Sequence, residues 1–189
     1  GYRSAGFAAD YAAYNGHIDT IKFLHKIKYP IGVSAFNYAV STGRGRLVEW
    51  LYAHSYKGNH ESMDIAAKFN HFDLVKLLLV QGYTCSNNAI DYAVYHGNFD
   101  MLRWFHRNGW TGSDNAIYYA VTTGQPMMVN WLLVNNYQCT TYAIDFAIAS
   151  QNLEILEIMY KFTVDLSDMM KKTKEPKVMQ WWFARPLQD

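Results

Sequence analysis

The sequence predicts an all-α solenoid of stacked helix pairs, and three observations carry that prediction. Six alanines, Ala12, Ala39, Ala66, Ala93, Ala120 and Ala147, follow one another at intervals of 27 residues without exception. Further columns keep the same phase. Ala8, Ala35, Ala89, Ala116 and Ala143 form one, with Ser62 as the small substitute, and Gly16, Gly43, Gly97 and Gly124 another, broken at Asn70 and Gln151. Leu24, Leu51, Leu78, Phe105, Leu132 and Met159 form a third, and Tyr29, Tyr56, Tyr83, Trp110 and Tyr137 a fourth. Self-similarity at a fixed period is the mark of a repeat architecture. Finally, each period holds room for two helices near ten residues, too short to persist without neighbours.

The units run over about 7–33, 34–60, 61–87, 88–114, 115–141 and 142–167, followed by a degenerate unit at 168–189, all within a single domain 1–189. In the fourth unit, "NNAIDYAVYHG" reads as a helix with Asn88 as N-cap and Asp91 three residues on, the spacing of a capping box. Gly97 supplies the left-handed residue that ends it. The second helix, "NFDMLRWFHRNG", carries Phe99, Leu102 and Phe105 on one face and turns Arg103 and Arg107 elsewhere; Gly109 closes it. Alanine at each helix contact permits close approach, where a larger side chain would overpack. The column of tyrosines, one per unit, accounts for several of the 15 in the chain by placing an aromatic in each inter-repeat turn.

The last unit departs from the pattern. "EPKVMQWWF" (Glu175–Phe183) aligns with "QPMMVNWLL" (Gln125–Leu133), and the helix before it, near "DMMKKTK", is a turn shorter and rich in lysine. A polar outer face is what a terminal repeat requires, so Lys171, Lys172, Lys174 and Lys177 read as a solvated cap, interrupted by Asp168 and Glu175. At the other end Phe7, Tyr11 and Ala12 carry the internal pattern from the start, and the sequence begins at Gly1 without a methionine. The expectation is further chain N-terminal to Gly1, and self-association through the uncapped first repeat.

"AIDYAVYHGNFDMLRWFHRNG", "NGHIDTIKFL" (Asn15–Leu24) and "NHFDLVKLLL" (Asn70–Leu79) resemble ankyrin repeats. The resemblance covers six units, from about Phe7 to Phe162. The common ankyrin period is about 33 residues, so a 27-residue unit implies shortened or absent β-hairpin fingers, and the T-P-L-H tetrad is replaced by "NAID", "NAIY" and "YAID". This short, aromatic-rich variety is similar to arrays in giant DNA viruses and protists. The tetrad's histidine column holds Asp10, Asn37, Asp64, Asp91 and Asp145 here. Neighbouring members would lie about 10 Å apart, too far to share an ion, so each is expected to cap its helix or accept a backbone N–H from the next loop.

Composition narrows the function. A net charge of +1 offers no footprint for nucleic acid, and no apolar run reaches the length of a membrane span. The chemistry of catalysis is missing too. Cys85 and Cys139 share one column two repeats apart, His25 and His106 another, and His17 and His71 a third, so none of these pairs converges. "GRGR" (Gly43–Arg46) lacks the preceding strand and third glycine of a phosphate loop. No cofactor is expected, no metal, and no enzymatic activity.

What remains is surface. In an ankyrin-like stack the two residues before the column glycine face the concave groove. In this sequence they are Tyr14–Asn15, Ser41–Thr42, Lys68–Phe69, Tyr95–His96, Thr122–Thr123 and Ala149–Ser150. Phe69, Tyr95 and His96 are the expected centre of a protein-binding site, with Tyr14, Lys68 and Thr122 toward its rim. The resemblance thus implies an intracellular adaptor or scaffold, in host cytoplasm or virion if viral. The competing reading is a structural spacer whose groove stays empty.

Overall fold

The computed structural model describes residues 6–162 and 166–184, and only the backbone at Met169. Among the described residues there are fourteen helices and no strand. The 27-residue units therefore appear as six helix pairs without β fingers, followed by a shorter pair. The chain divides into two compact units, Gly1–Tyr92 and Ala93–Asp189.

In the first, α1 (Phe7–Asn15) and α2 (Ile18–Lys26) form one pair, α3 (Val33–Ser41) and α4 (Gly45–Ala53) the next, and α5 (Ser62–Lys68) and α6 (Phe72–Val80) the third. First helices stack on first helices, α1 on α3 and α3 on α5, while each also packs on its own partner. After α7 (Asn87–Tyr95), the second unit continues with α8 (Phe99–Arg107), α9 (Ala116–Thr122), α10 (Pro126–Val134), α11 (Thr141–Ala149) and α12 (Leu153–Lys161). There α9 packs on α10 and α11, and α12 on α10 and α11. The shorter last pair is α13 (Ser167–Lys172) and α14 (Pro176–Phe183).

The six phase-setting alanines are all buried, as are the six large apolar residues of the Leu24 column. Ala8 is exposed although Ala35, Ala89, Ala116, Ala143 and Ser62 are buried. No described helix precedes α1 to cover it.

Two left-handed joints recur along the repeats. The first is the glycine column, at φ 74, 72, 65 and 66° for Gly16, Gly43, Gly97 and Gly124; Asn70 and Gln151 adopt the same conformation at 59 and 52°. The second follows α2, α4, α6, α8 and α10 and takes Lys28, Ser55, Gly82, Gly109 and Asn136, all at positive φ. Residues with a Cβ are held there by paired backbone bonds. Lys28 N–H donates to the His25 carbonyl and Tyr29 N–H to that of Leu24, so two orphan carbonyls at the helix end are satisfied.

One expectation requires correction. Asn88 is not an N-cap, because α7 begins one residue earlier, at Asn87. Ser86 stands at the cap position, and its Oγ accepts the Asn88 N–H at 3.2 Å. Asp64 holds Ser86 there, its two carboxylate oxygens accepting the Ser86 N–H at 2.9 Å and hydroxyl at 2.6 Å. Sequence spacing could not reveal that anchor from the preceding repeat.

Candidate functional site

The exposed face of the first helices is built by the joints just described. In the six full repeats the first helix is followed by the left-handed residue, so the two positions before it lie at the helix terminus while the phase-setting alanines turn inward. In the first unit Tyr14 lies in the last turn of α1, 54% exposed, with its ring edge-to-face against Tyr38 of α3 at 6.0 Å. Phe69 caps the C-terminus of α5 and is 49% exposed. The Lys68 ammonium lies 5.9 Å from the Phe69 ring centroid, at the outer limit of a cation–π contact.

The second unit repeats the tyrosine pair. Tyr95, the last residue of α7, is 52% exposed and meets Tyr119 of α9 edge-to-face at 6.2 Å, with the exposed His96 ring 5.3 Å away. Thr122 is half-buried, and its hydroxyl donates to the Tyr119 carbonyl at 3.1 Å. Tyr14 with Tyr38 and Tyr95 with Tyr119 are both 24 residues apart, so one geometry is made in each unit. Tyr38 and Tyr119 were not among the residues expected on this face. Their signal was the aromatic preceding five of the six phase-setting alanines, at Tyr11, Tyr38, Tyr92, Tyr119 and Phe146, with Ile65 before Ala66.

The polar columns link repeats. Asp64 anchors Ser86 as described, and Asn37 ties the preceding pair of repeats in the same way: its Oδ1 accepts from Ser62 Oγ at 2.7 Å, and its Nδ2 donates to Asn59 Oδ1 at 3.0 Å. At the start of the second helices, His71 Nε2 donates to the Ser41 carbonyl at 3.1 Å and Gln125 Nε2 to that of Val94 at 3.2 Å. The expected acceptance of backbone N–H from the next loop is met at Asp64. In "GRGR", Gly43 is a left-handed joint, Arg44 the residue before α4, and Gly45 its first turn.

Burial, reinforced at Cys85 by the Asp64 carboxylate, pushes the Cys85 thiol up to about 12; burial alone takes Cys139 to about 11. Both are free cysteines and hold little thiolate at neutral pH. Among the described residues no three His, Cys, Asp or Glu side chains are grouped to hold a metal. No described helix is long and apolar enough to cross a membrane. Near the C-terminal pair, Lys172 and Lys174 line an open cleft of about 430 Å³ together with Asp145 and Glu175, so its charges are balanced. Lys171 pairs with Asp168 at 3.3 Å.

Short stacked helix pairs, tied by side chains reaching from one repeat to the next and carrying half-exposed aromatics at the ends of first helices in each compact unit, define a helical repeat protein. Residues 63–106 match the family model described as ankyrin repeats (many copies). The fold is similar to that in the crystal structure of the human ASB11 ankyrin repeat domain, with a TM-score of 0.65 at 17% identity, over 84% of this chain and 85% of that one. None of the curated proteins compared with it matches the sequence. Residues 63–106 thus match ankyrin repeats, and the chain has the ankyrin repeat fold. Ankyrin repeats generally serve as protein–protein interaction modules and are typically non-enzymatic.

Proposed function

We propose that this chain is a non-enzymatic adaptor or scaffold that binds a partner protein through the groove face of its first helices. Tyr14, Lys68 and Phe69 contribute from the first unit, and Tyr95, His96 and Thr122 from the second. The observation that supports this is the half-exposure of Tyr14, Phe69 and Tyr95 at the ends of helices whose phase-setting alanines, Ala12, Ala66 and Ala93, are buried. Large aromatic rings held on a rigid scaffold offer contact area with little side-chain entropy to lose, and truncating a central anchor typically costs ~2 kcal/mol or more. Tyr38 and Tyr119 extend the same face.

The test is a Phe69→Ala, Tyr95→Ala double variant whose melting temperature equals that of the parent. Proteins captured from the native host by parent and variant are compared, and the affinity of each is measured. Loss of a specific partner at least about thirtyfold in affinity supports the groove. A partner held equally tightly by both overturns it.

A further inference from the structure

The second helices of the first unit carry a cluster that the groove does not use. His25, in the last turn of α2, stands among three rings from the following repeat. Its ring centroid lies 5.5 Å from Trp50, 5.1 Å from His54 and 5.8 Å from Tyr56, all at steep angles. His54, at the C-cap of α4, lies flat on Trp50 with 3.9 Å between centroids. Both imidazoles are exposed to solvent.

Hydrogen bonds fix the nitrogen that His54 presents and allow His25 the same tautomer. The Trp50 carbonyl can only accept, so His54 Nδ1, 2.8 Å away, carries the proton, and the neutral ring keeps its lone pair on Nε2. His25 Nδ1 lies 2.8 Å from the Tyr56 hydroxyl, which accepts from Nδ1–H when His25 takes the same tautomer, leaving Nε2 as a donor to a metal. An Nδ1–H tied to an oxygen with Nε2 left as donor is the arrangement of metal-ligating histidine. The spacing agrees. Two imidazoles bound to one ion through Nε2, with metal–nitrogen bonds of about 2 Å at a tetrahedral angle, hold their ring centroids roughly 5 Å apart; the observed separation is 5.1 Å.

We propose that His25 and His54 form a two-histidine site for a divalent transition-metal ion of the zinc, nickel or copper class, tying α2 to the end of α4. Imidazole donors favour these ions over magnesium and calcium. Among the described residues no third His, Cys, Asp or Glu completes a set, so water fills the other positions and the ion exchanges freely. An ion bound by the native state alone stabilises the joint between two repeats by mass action. His106 provides an internal control. Three periods on from His25, its ring meets Trp131 at 5.0 Å, but Asn135 stands where a second histidine would be needed.

Calorimetric titration of the full chain with zinc chloride is expected to show one ion per chain. His25→Ala and His54→Ala each weaken binding at least about tenfold, while His106→Ala changes it less than about twofold. No uptake at hundreds of micromolar zinc, or unchanged affinity in the first two variants, overturns the proposal. A readout on the unaltered chain covers the case in which a variant misfolds: the electron paramagnetic resonance spectrum with one equivalent of Cu²⁺ should show two imidazole nitrogens on the copper. One nitrogen or none overturns the site.

Discussion

Replacing Tyr83 with phenylalanine removes a single oxygen from a joint between repeats. The Tyr83 hydroxyl accepts the Gly58 N–H at 2.8 Å, and its ring stacks on the buried Phe36 with centroids 5.8 Å apart. Phenylalanine keeps the ring contact and leaves the amide without that acceptor. A typical hydrogen bond contributes about 1 kcal/mol, and a fully buried orphan donor costs up to ~3. Gly58 is half-buried, so water compensates to some extent, and the expected loss is about 1–2 kcal/mol. Tyr56, one repeat earlier in the same column, supplies the comparison. Its hydroxyl meets an exposed imidazole, His25 Nδ1, at 2.8 Å; once released, that ring is free to bond to water. Tyr56→Phe should therefore cost less than about 0.5 kcal/mol. Urea unfolding followed by circular dichroism reads both as a shift in midpoint at constant slope. Equal losses, or a larger one at Tyr56→Phe, would refute the reasoning from amide burial.

At Gly43, φ is +72° and an added Cβ would lie 2.8 Å from His71 Cε1, a ring held by its bond to the Ser41 carbonyl. Gly43→Ala should cost about 1–3 kcal/mol, whereas Gly124→Asn, at φ +66° with nothing within 4 Å, should stay within about 0.5; matching thermal melts for the two would count against the joint. The thiols give a pH dependence. Native Cys85 and Cys139 hold their protons to about 12 and about 11, against 9.0 without burial. The unfolded chain therefore loses protons first, and the stability these thiols contribute is complete below pH 9 and lost as pH rises through 11–12. A Cys85→Ser, Cys139→Ser variant should lose less melting temperature than the parent between pH 8 and 10.5; identical pH profiles would be evidence against buried thiols.

The helix pairs, their period and the glycine joints were legible because one residue type suits each of those positions: alanine at the tightest contact, glycine where φ is positive. The second left-handed joint was largely hidden. Lys28, Ser55 and Asn136 adopt it as Gly82 and Gly109 do, since backbone bonds closing the helix outweigh the side chain's preference, and no single letter marks it. Asn88 misled for a related reason. The cap was chosen by Asp64 in the preceding repeat, beyond the reach of local spacing. On the candidate face, the positions before each glycine could be named from the sequence, but Tyr38 and Tyr119 were not, since only those two positions per repeat were read as facing the groove. Tyr38 is exposed and Tyr119 half-buried, each beside a buried alanine, Ala39 and Ala120.

The side-chain ties between repeats are short in chain length. Asp64 to Ser86 spans 22 residues, Gly58 to Tyr83 spans 25, Ser41 to His71 spans 30, and His25 to Tyr56 and Val94 to Gln125 span 31. A tensile load on such a chain meets its joints in series, and opening one leaves the next intact. Each yield event would release one period of 27 residues, roughly 90 Å of extended polypeptide. Pulled from its ends, the protein would lengthen in equal steps, as a ratcheted tether does.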